Sequence, residues 1–136
     1  MAVKIEDVNE SKLEELQGKV IGDVAGSVGL LLAYFGDKLG LYSALAEISP
    51  ATSQQLADNT GMNERYVREW LSANAAGGYV NYDTASKHFS MTPEQAVIFA
   101  VEGNPACMQG FFQAVVSVYA DEPKVAEIFR TGDGLP

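Results

Sequence analysis

The stretch from Thr52 to Val80, TSQQLADNTGMNERYVREWLSANAAGGYV, constrains the fold more than any other part of the chain. Its capping residues mark out two short helices joined by a tight turn. Thr52 can accept from the backbone N–H groups of a first turn while Gln55 reaches back to it, the reciprocal pattern of a capping box. Leu56 and Ala57 supply the buried side of that helix, and Asn59-Thr60-Gly61 stops it, with glycine suited to the left-handed conformation just past a helix end. Asn63 then caps a second helix in which Tyr66, Val67, Trp70, Leu71 and Asn74 recur at helical spacing, leaving Arg65, Arg68 and Glu69 toward water. Gly77-Gly78 ends it. Tyr79-Val80-Asn81-Tyr82 and His88-Phe89-Ser90-Met91 flank a polar tip, Asp83 to Ser86, so two short strands form a hairpin. Helix, turn, helix and hairpin in this order are the pattern of a winged helix.

The flanks extend the helical reading. Thr92-Pro93-Glu94-Gln95 is a second capping box with proline at the first helical position. Asn104-Pro105 caps a further helix through Tyr119, and Asp121-Glu122-Pro123 breaks the chain before a last short helix holding Val125, Ile128 and Phe129. Toward the N-terminus, Leu13, Leu16, Val20, Val24, Val28, Leu31, Leu32 and Phe35 recur at spacings dominated by three and four, which predicts a long helix from near Ser11. Gly36 and Gly40 bracket the connection to one or two further turns over Leu41 to Ala46. The fold class is therefore mainly α: a winged helix-turn-helix with a long N-terminal helix, a small two-stranded wing and additional C-terminal helices.

Within the long helix Gly18, Gly22 and Gly26 stand four apart, each costing about 1 kcal/mol of helix propensity relative to alanine. A stripe without side chains lets another backbone approach closely. Two occupants satisfy it, the helix's own domain or a second subunit.

A chain of 136 residues with 47% hydrophobic content suits one domain with a single core. No unbroken run of about eighteen apolar residues occurs, and the acidic N-terminus is unlike a signal peptide, so the expectation is a cytoplasmic protein with no membrane partner. The lone Cys107 permits no internal disulfide and reads as a buried, inert thiol. His88 stands without an acidic orienter nearby and reads as structural. Asp37 and Lys38 read as solvated or capping groups, and Trp70 as a core residue sharing a stripe with Tyr66, Val67 and Leu71.

Charge bears on whether a winged helix of this composition reads DNA. Affinity for a duplex rests on neutralising phosphates with lysine and arginine, yet the chain carries a net charge of −9. Between Thr52 and His88 the cations Arg65, Arg68 and Lys87 are outnumbered by Asp58, Glu64, Glu69 and Asp83. The second helix balances Arg65 and Arg68 against Glu64 and Glu69 where a DNA reader shows a basic face. Nucleic acid is not the expected partner. A DNA-binding transcriptional regulator and a free-standing protein-interaction module stand as alternatives.

The succession AYFGDKLGLYSALAE, then NERYVREWLSANAAGGYV, a short wing and MTPEQAVIFA resembles the N-terminal domain of two-domain class I S-adenosylmethionine-dependent methyltransferases, with the phrase Gly36 to Leu41 the most distinctive. The resemblance covers about Leu13 to Pro136. It implies that residues 1–131 form a dimerising, substrate-covering domain, that residues 132–136 begin an interdomain linker, and that a Rossmann-like catalytic domain belongs to a longer parent. It also implies that S-adenosylmethionine serves the parent while this piece binds no cofactor and carries no catalytic residue. Under the same resemblance the protein is a homodimer with Gly18, Gly22 and Gly26 as dimer-face candidates. Tyr34, Phe35, Met108, Phe111, Phe112 and Tyr119 are candidate wall residues over a small-molecule acceptor. The bland alternative for each aromatic is internal packing.

Overall fold

Both capping boxes form, and they set the frame of the fold. In the computed structural model, which describes residues 4–134, Thr52 Oγ1 accepts from the Gln55 amide at 3.2 Å while Gln55 Oε1 accepts from the Thr52 amide at 2.8 Å. Thr92 and Gln95 repeat the arrangement at 3.2 and 2.8 Å. Each box satisfies two backbone donors that a helix start leaves orphaned, which is why these helices begin where they do.

Among the described residues seven α-helices and two strands follow in order: α1 Glu10–Lys38, α2 Leu41–Ile48, α3 Ser53–Thr60, α4 Glu64–Ala76, β1 Asn81–Asp83, β2 His88–Ser90, α5 Pro93–Phe99, α6 Gln109–Ala120 and α7 Glu122–Thr131. Gly61 closes α3 at φ 68°, in the left-handed region where glycine carries no Cβ penalty. The antiparallel hairpin pairs Asn81 with Ser90, Tyr82 with Phe89 and Asp83 with His88. Ala51 adds a bridge to Phe89 through two backbone bonds of 2.9 and 2.7 Å, so the wing is anchored to the segment entering α3.

The core lies where α1 to α5 meet under the wing. Tyr42, Leu45, Leu56, Leu71 and Val80 are its largest fully buried side chains. Tyr42 packs edge-on to Trp70 with ring centroids 4.8 Å apart and stacks on Phe99 at the same distance. Phe112 of α6 continues the stack at 5.8 Å from Phe99. Offset and edge-on pairs of this kind add to the burial of apolar area.

Four local expectations need correcting. Gly36 lies inside α1, not in the connection, which is only Leu39 and Gly40. A Cβ at position 36 would stand 2.5 Å from Trp70 Cζ2 and 2.7 Å from Tyr42 Cδ2, so glycine is there to let α1 settle on these two rings. The helix expected from Asn104 starts at Gln109 instead. Asn104 Oδ1 accepts from the Ala106 amide at 2.9 Å and the Met108 amide donates to the Ile98 carbonyl at 3.1 Å, which turns the chain back on α5 before α6 can begin. Tyr79 and Val80 precede β1, because both amides bond the Asn74 carbonyl and complete the end of α4. Tyr66 is 73% exposed and does not share the buried stripe of Val67, Trp70 and Leu71.

The first seventeen residues of α1 are all exposed, and only its C-terminal part packs on the domain. By length and composition α1 is long and apolar enough to cross a membrane, although charged residues interrupt its apolar positions.

Candidate functional site

A chain of buried hydrogen bonds holds α4 in position. Trp70 Nε1 donates to the Leu32 carbonyl at 2.9 Å, Asn74 Nδ2 donates to the Trp70 carbonyl at 2.8 Å, and the Tyr42 hydroxyl donates to Asn74 Oδ1. Burial, and after it the neighbouring Tyr79, pushes the Tyr42 hydroxyl well above the ordinary tyrosine range, so it is a donor across the physiological range. No buried side-chain polar atom among the described residues lacks a partner. This satisfied network makes the junction of α1 with α4 a rigid wall.

Beside that wall lies an apolar groove of about 640 Å³ between the end of α1 and the outer face of α4, lined among others by Phe35, Leu39, Met62, Tyr66 and Trp70. A second groove of about 730 Å³ runs between α4 and the wing, where Arg68 and Lys87 approach Ser72 and Asn81. Of its two cations, Arg68 is paired, and Lys87 is in no ion pair among the described residues. Glu64 pairs with Arg68 at 3.6 Å, and at the hairpin tip Asp83 accepts from the Ser86 hydroxyl at 2.6 Å and the Ala85 amide at 3.0 Å. Those bonds, the hydroxyl first, hold the Asp83 carboxyl below the usual carboxylate range.

The six candidate wall residues fall in four places. Tyr34 is half-buried in a cleft between α1 and α6 with Lys38 Nζ 5.5 Å from its ring centroid. Phe35, its neighbour in sequence, keeps its ring 5.9 Å from that of Tyr34 and lines the apolar groove. Phe112 belongs to the core at 4% exposure. Met108, Phe111 and Tyr119 are exposed, and with Val118 they form an apolar strip along the outer face of α6, since these positions share one side of a helix. Phe129 of α7 is also exposed. Gly18, Gly22, Gly26 and Gly29 all have open space where a side chain would stand, and Gly26 and Gly29 border a small cavity together with Ala73 and Gly77 at the end of α4.

Three polar residues make contacts that the sequence did not announce. Asp37, half-buried, does more than face solvent: Gln109 Nε2 donates to its Oδ1 at 2.7 Å and Gln113 Nε2 to its Oδ2 at 3.2 Å, tying the end of α1 to α6. Cys107 is half-buried, and its thiol donates to Gln109 Oε1 at 2.8 Å, extending the same link. His88 does face an acidic residue, Asp83, across the hairpin register, while its Nδ1–H donates to the Ser86 carbonyl at 2.7 Å. Among the described residues no cluster of metal-ligating side chains forms. Gln109 and Gly36 were not singled out by sequence reasoning for these roles. Their only local signal was a polar or missing side chain at a position that helical spacing turns inward.

Comparison with known proteins follows the same lines. A profile of the Rv2258c-like winged HTH domain matches residues 26–100. Among solved structures, N,N-8-amino-8-demethyl-D-riboflavin dimethyltransferase (RosA) from Streptomyces davawensis superposes with a TM-score of 0.62 at 25% identity, over 92% of this chain and 35% of that one. PigF, solved with SAH, superposes with a TM-score of 0.56 at 14% identity, over 91% of this chain and 38% of that one, a likeness of fold. The chain thus spans little more than a third of either protein. No curated protein matches it. The profile takes in α2 to α5, the wing and the packed end of α1, more than half of the residues, and the chain belongs to the Rv2258c-like winged helix-turn-helix domain family.

Proposed function

We propose that this chain is the N-terminal dimerising and substrate-covering domain of an S-adenosylmethionine-dependent small-molecule methyltransferase, with the methyl donor held by a separate catalytic domain of the parent protein. The observation that carries the reading is the exposed apolar strip of Met108, Phe111, Val118 and Tyr119 on α6, with Phe129 beyond it, on a module whose fold recurs as about a third of a dimethyltransferase. An apolar strip of this kind marks a surface made to be covered.

Methyl transfer is an in-line displacement in which a nucleophilic acceptor must lie close to the donor methyl in a site closed to water. A lid supplies position and exclusion, and large apolar side chains on a braced helix suit both tasks. The Asp37 link to Gln109 and Gln113 is that brace. Phe111 and Tyr119 are the wall residues of this proposal, with Met108 at the start of the same helix. Phe112 supports them from the core. The balanced charges on α4 support a small-molecule or protein contact over a phosphate backbone. The parent is a cytoplasmic homodimer in this reading.

Calorimetric titration with S-adenosylmethionine tests the division of labour. Heat is expected from the protein extended along its own reading frame beyond Pro136 and not from the 136-residue chain. Binding by the chain alone, or a stop codon directly after Pro136, would sink the assignment.

A further inference from the structure

The groove between α4 and the wing carries a charge at odds with the rest of the chain. Acidic residues outnumber lysines and arginines 18 to 9 overall. Yet among the described residues lining this groove the charged ones are Arg68 and Lys87, and none is an aspartate or glutamate. Glu64, which does not line it, reaches Arg68 only at 3.6 Å and has its other oxygen on the Ser53 hydroxyl at 2.7 Å. A guanidinium with one long contact keeps most of its N–H donors for another acceptor.

The walls give the groove room and a flat surface. Arg68, Ser72, Ala75 and Ala76 follow at helical steps along one side of α4, and after Arg68 every side chain there is small, which leaves a cavity of about 730 Å³ below the hairpin. Opposite them Phe89 is buried and the Tyr82 ring lies against it with centroids 4.6 Å apart, while Tyr82 itself stays exposed and presents aromatic surface to the groove. At the tip Lys87 adopts a left-handed backbone with φ 62°, the one non-glycine residue to do so among the described residues. Glycine or asparagine takes that conformation at less cost, so the turn by itself does not call for lysine. The Asp83 carboxylate of the same turn is bonded to the Ser86 hydroxyl and the Ala85 amide, and the Lys87 ammonium is in no ion pair among the described residues.

We propose that this groove binds a small aromatic acid, a flat ring system bearing one carboxylate, with the ring against Tyr82 and the small side chains of α4 and the carboxylate drawn to Arg68 and Lys87. Charge sets the count. Two cations, one of them shared with Glu64, leave about one unit of positive charge, which suits a monoanion and not a polyphosphate. The planar guanidinium fork matches the two oxygens of a carboxylate, and the aromatic and apolar walls match its body. None of the α6 residues assigned to the substrate wall lines this groove, so it is a second site, apart from that of the methyl acceptor. A duplex is the less favoured occupant, because Glu64 on the same helix and Asp83 on the same hairpin would meet its row of phosphates with like charge.

Nitrogen–proton correlation spectra of the 136-residue chain, titrated with naphthoate and with uncharged naphthamide, test the site. The amides of Ser72, Ala75, Tyr82 and Lys87 are expected to shift together with half-saturation on the order of 1 mM, the affinity open to a ligand of that size. Naphthamide should bind about tenfold more weakly, for want of the charge-assisted bonds. Lys87→Gly removes the cation at a position that favours glycine, and should weaken naphthoate about tenfold with no fall in melting temperature. Arg68→Gln, on an exposed position, should weaken it likewise while the helical circular dichroism persists. Naphthamide binding as tightly as naphthoate, unchanged affinity in both variants, or shifts confined to the groove between α1 and α4 would overturn the proposal. A duplex that moves the same amides at lower concentration than naphthoate would also overturn it, in favour of a phosphate backbone. None of these outcomes bears on S-adenosylmethionine binding by the extended protein, so the two readings fail separately.

Discussion

Trp70 reaches across 38 residues of sequence to donate its indole N–H to the Leu32 carbonyl at 2.9 Å, and this single bond joins the long N-terminal helix to the second helix of the winged module. Replacing the ring by phenylalanine keeps most of the contact with Tyr42 and removes the donor. Trp70→Phe should lower stability by about 1 kcal/mol, the net worth of one such bond. Urea unfolding followed by circular dichroism measures it, and an unchanged midpoint would show that the bond is not stabilising.

Two glycines of α1 should respond in opposite directions to the same substitution. Gly36→Ala drives a methyl group into Tyr42 and Trp70 and should cost about 2 kcal/mol or more. Gly22→Ala meets nothing within 4 Å and should stabilise the helix by about 1 kcal/mol. Thermal melts of the pair decide it; similar shifts for both would mean that α1 does not sit on the domain as described.

Tyr42 gives the fold an alkaline limit. Burial raises its hydroxyl well above its unfolded value of about 10, so the folded state keeps the proton while the unfolded state releases it. Its contribution is therefore complete below pH of about 10 and is lost as pH climbs through the folded value. Stability measured by urea from pH 8 upward should decline beyond that point, and Tyr42→Phe should flatten the decline at the expense of a weaker fold at neutral pH, because Asn74 Oδ1 loses its donor.

The neighbours Phe111 and Phe112 should separate cleanly. Phe112→Ala opens the stack on Phe99 and should cost about 3 to 5 kcal/mol, whereas Phe111→Ala, on the outer face of α6, should stay within about 0.5 kcal/mol. In the extended protein the order reverses for substrate: Phe111→Ala should raise KM with little loss of stability. Equal KM values for that variant and the parent protein would remove Phe111 from the wall.

Asp37→Asn should loosen α6 and leave the wing intact, because Gln109 and Gln113 lose a charged acceptor while the Ala51 bridge to Phe89 is untouched. Hydrogen exchange read by mass spectrometry should show faster exchange over α6 and α7 alone. Uniform acceleration along the chain would show that the link braces the whole domain.

What could be read in advance was what is encoded locally. Thr52 with Gln55, Thr92 with Gln95, Asn63 and Gly61 announce helix ends because their partners stand within a turn of the chain. The order of helices and hairpin follows from those ends, and the stripe of α1 follows from its spacing. Contacts between distant segments could not be read this way. That Gly36 is a seat for two rings, that Asp37 grips a glutamine 72 residues away, and that Phe112 is core while Phe111 is surface each depend on how helices cross. Tyr66 failed for the same reason: helical spacing gives an angular position, and only the packing of α1 and α3 around α4 decides which angle is inside. The sequence by itself thus determined the elements and their caps, whose energetics are settled within a few residues. Which surfaces are buried, braced or left open was decided by tertiary structure alone, because burial is a property of neighbours brought together from far along the chain.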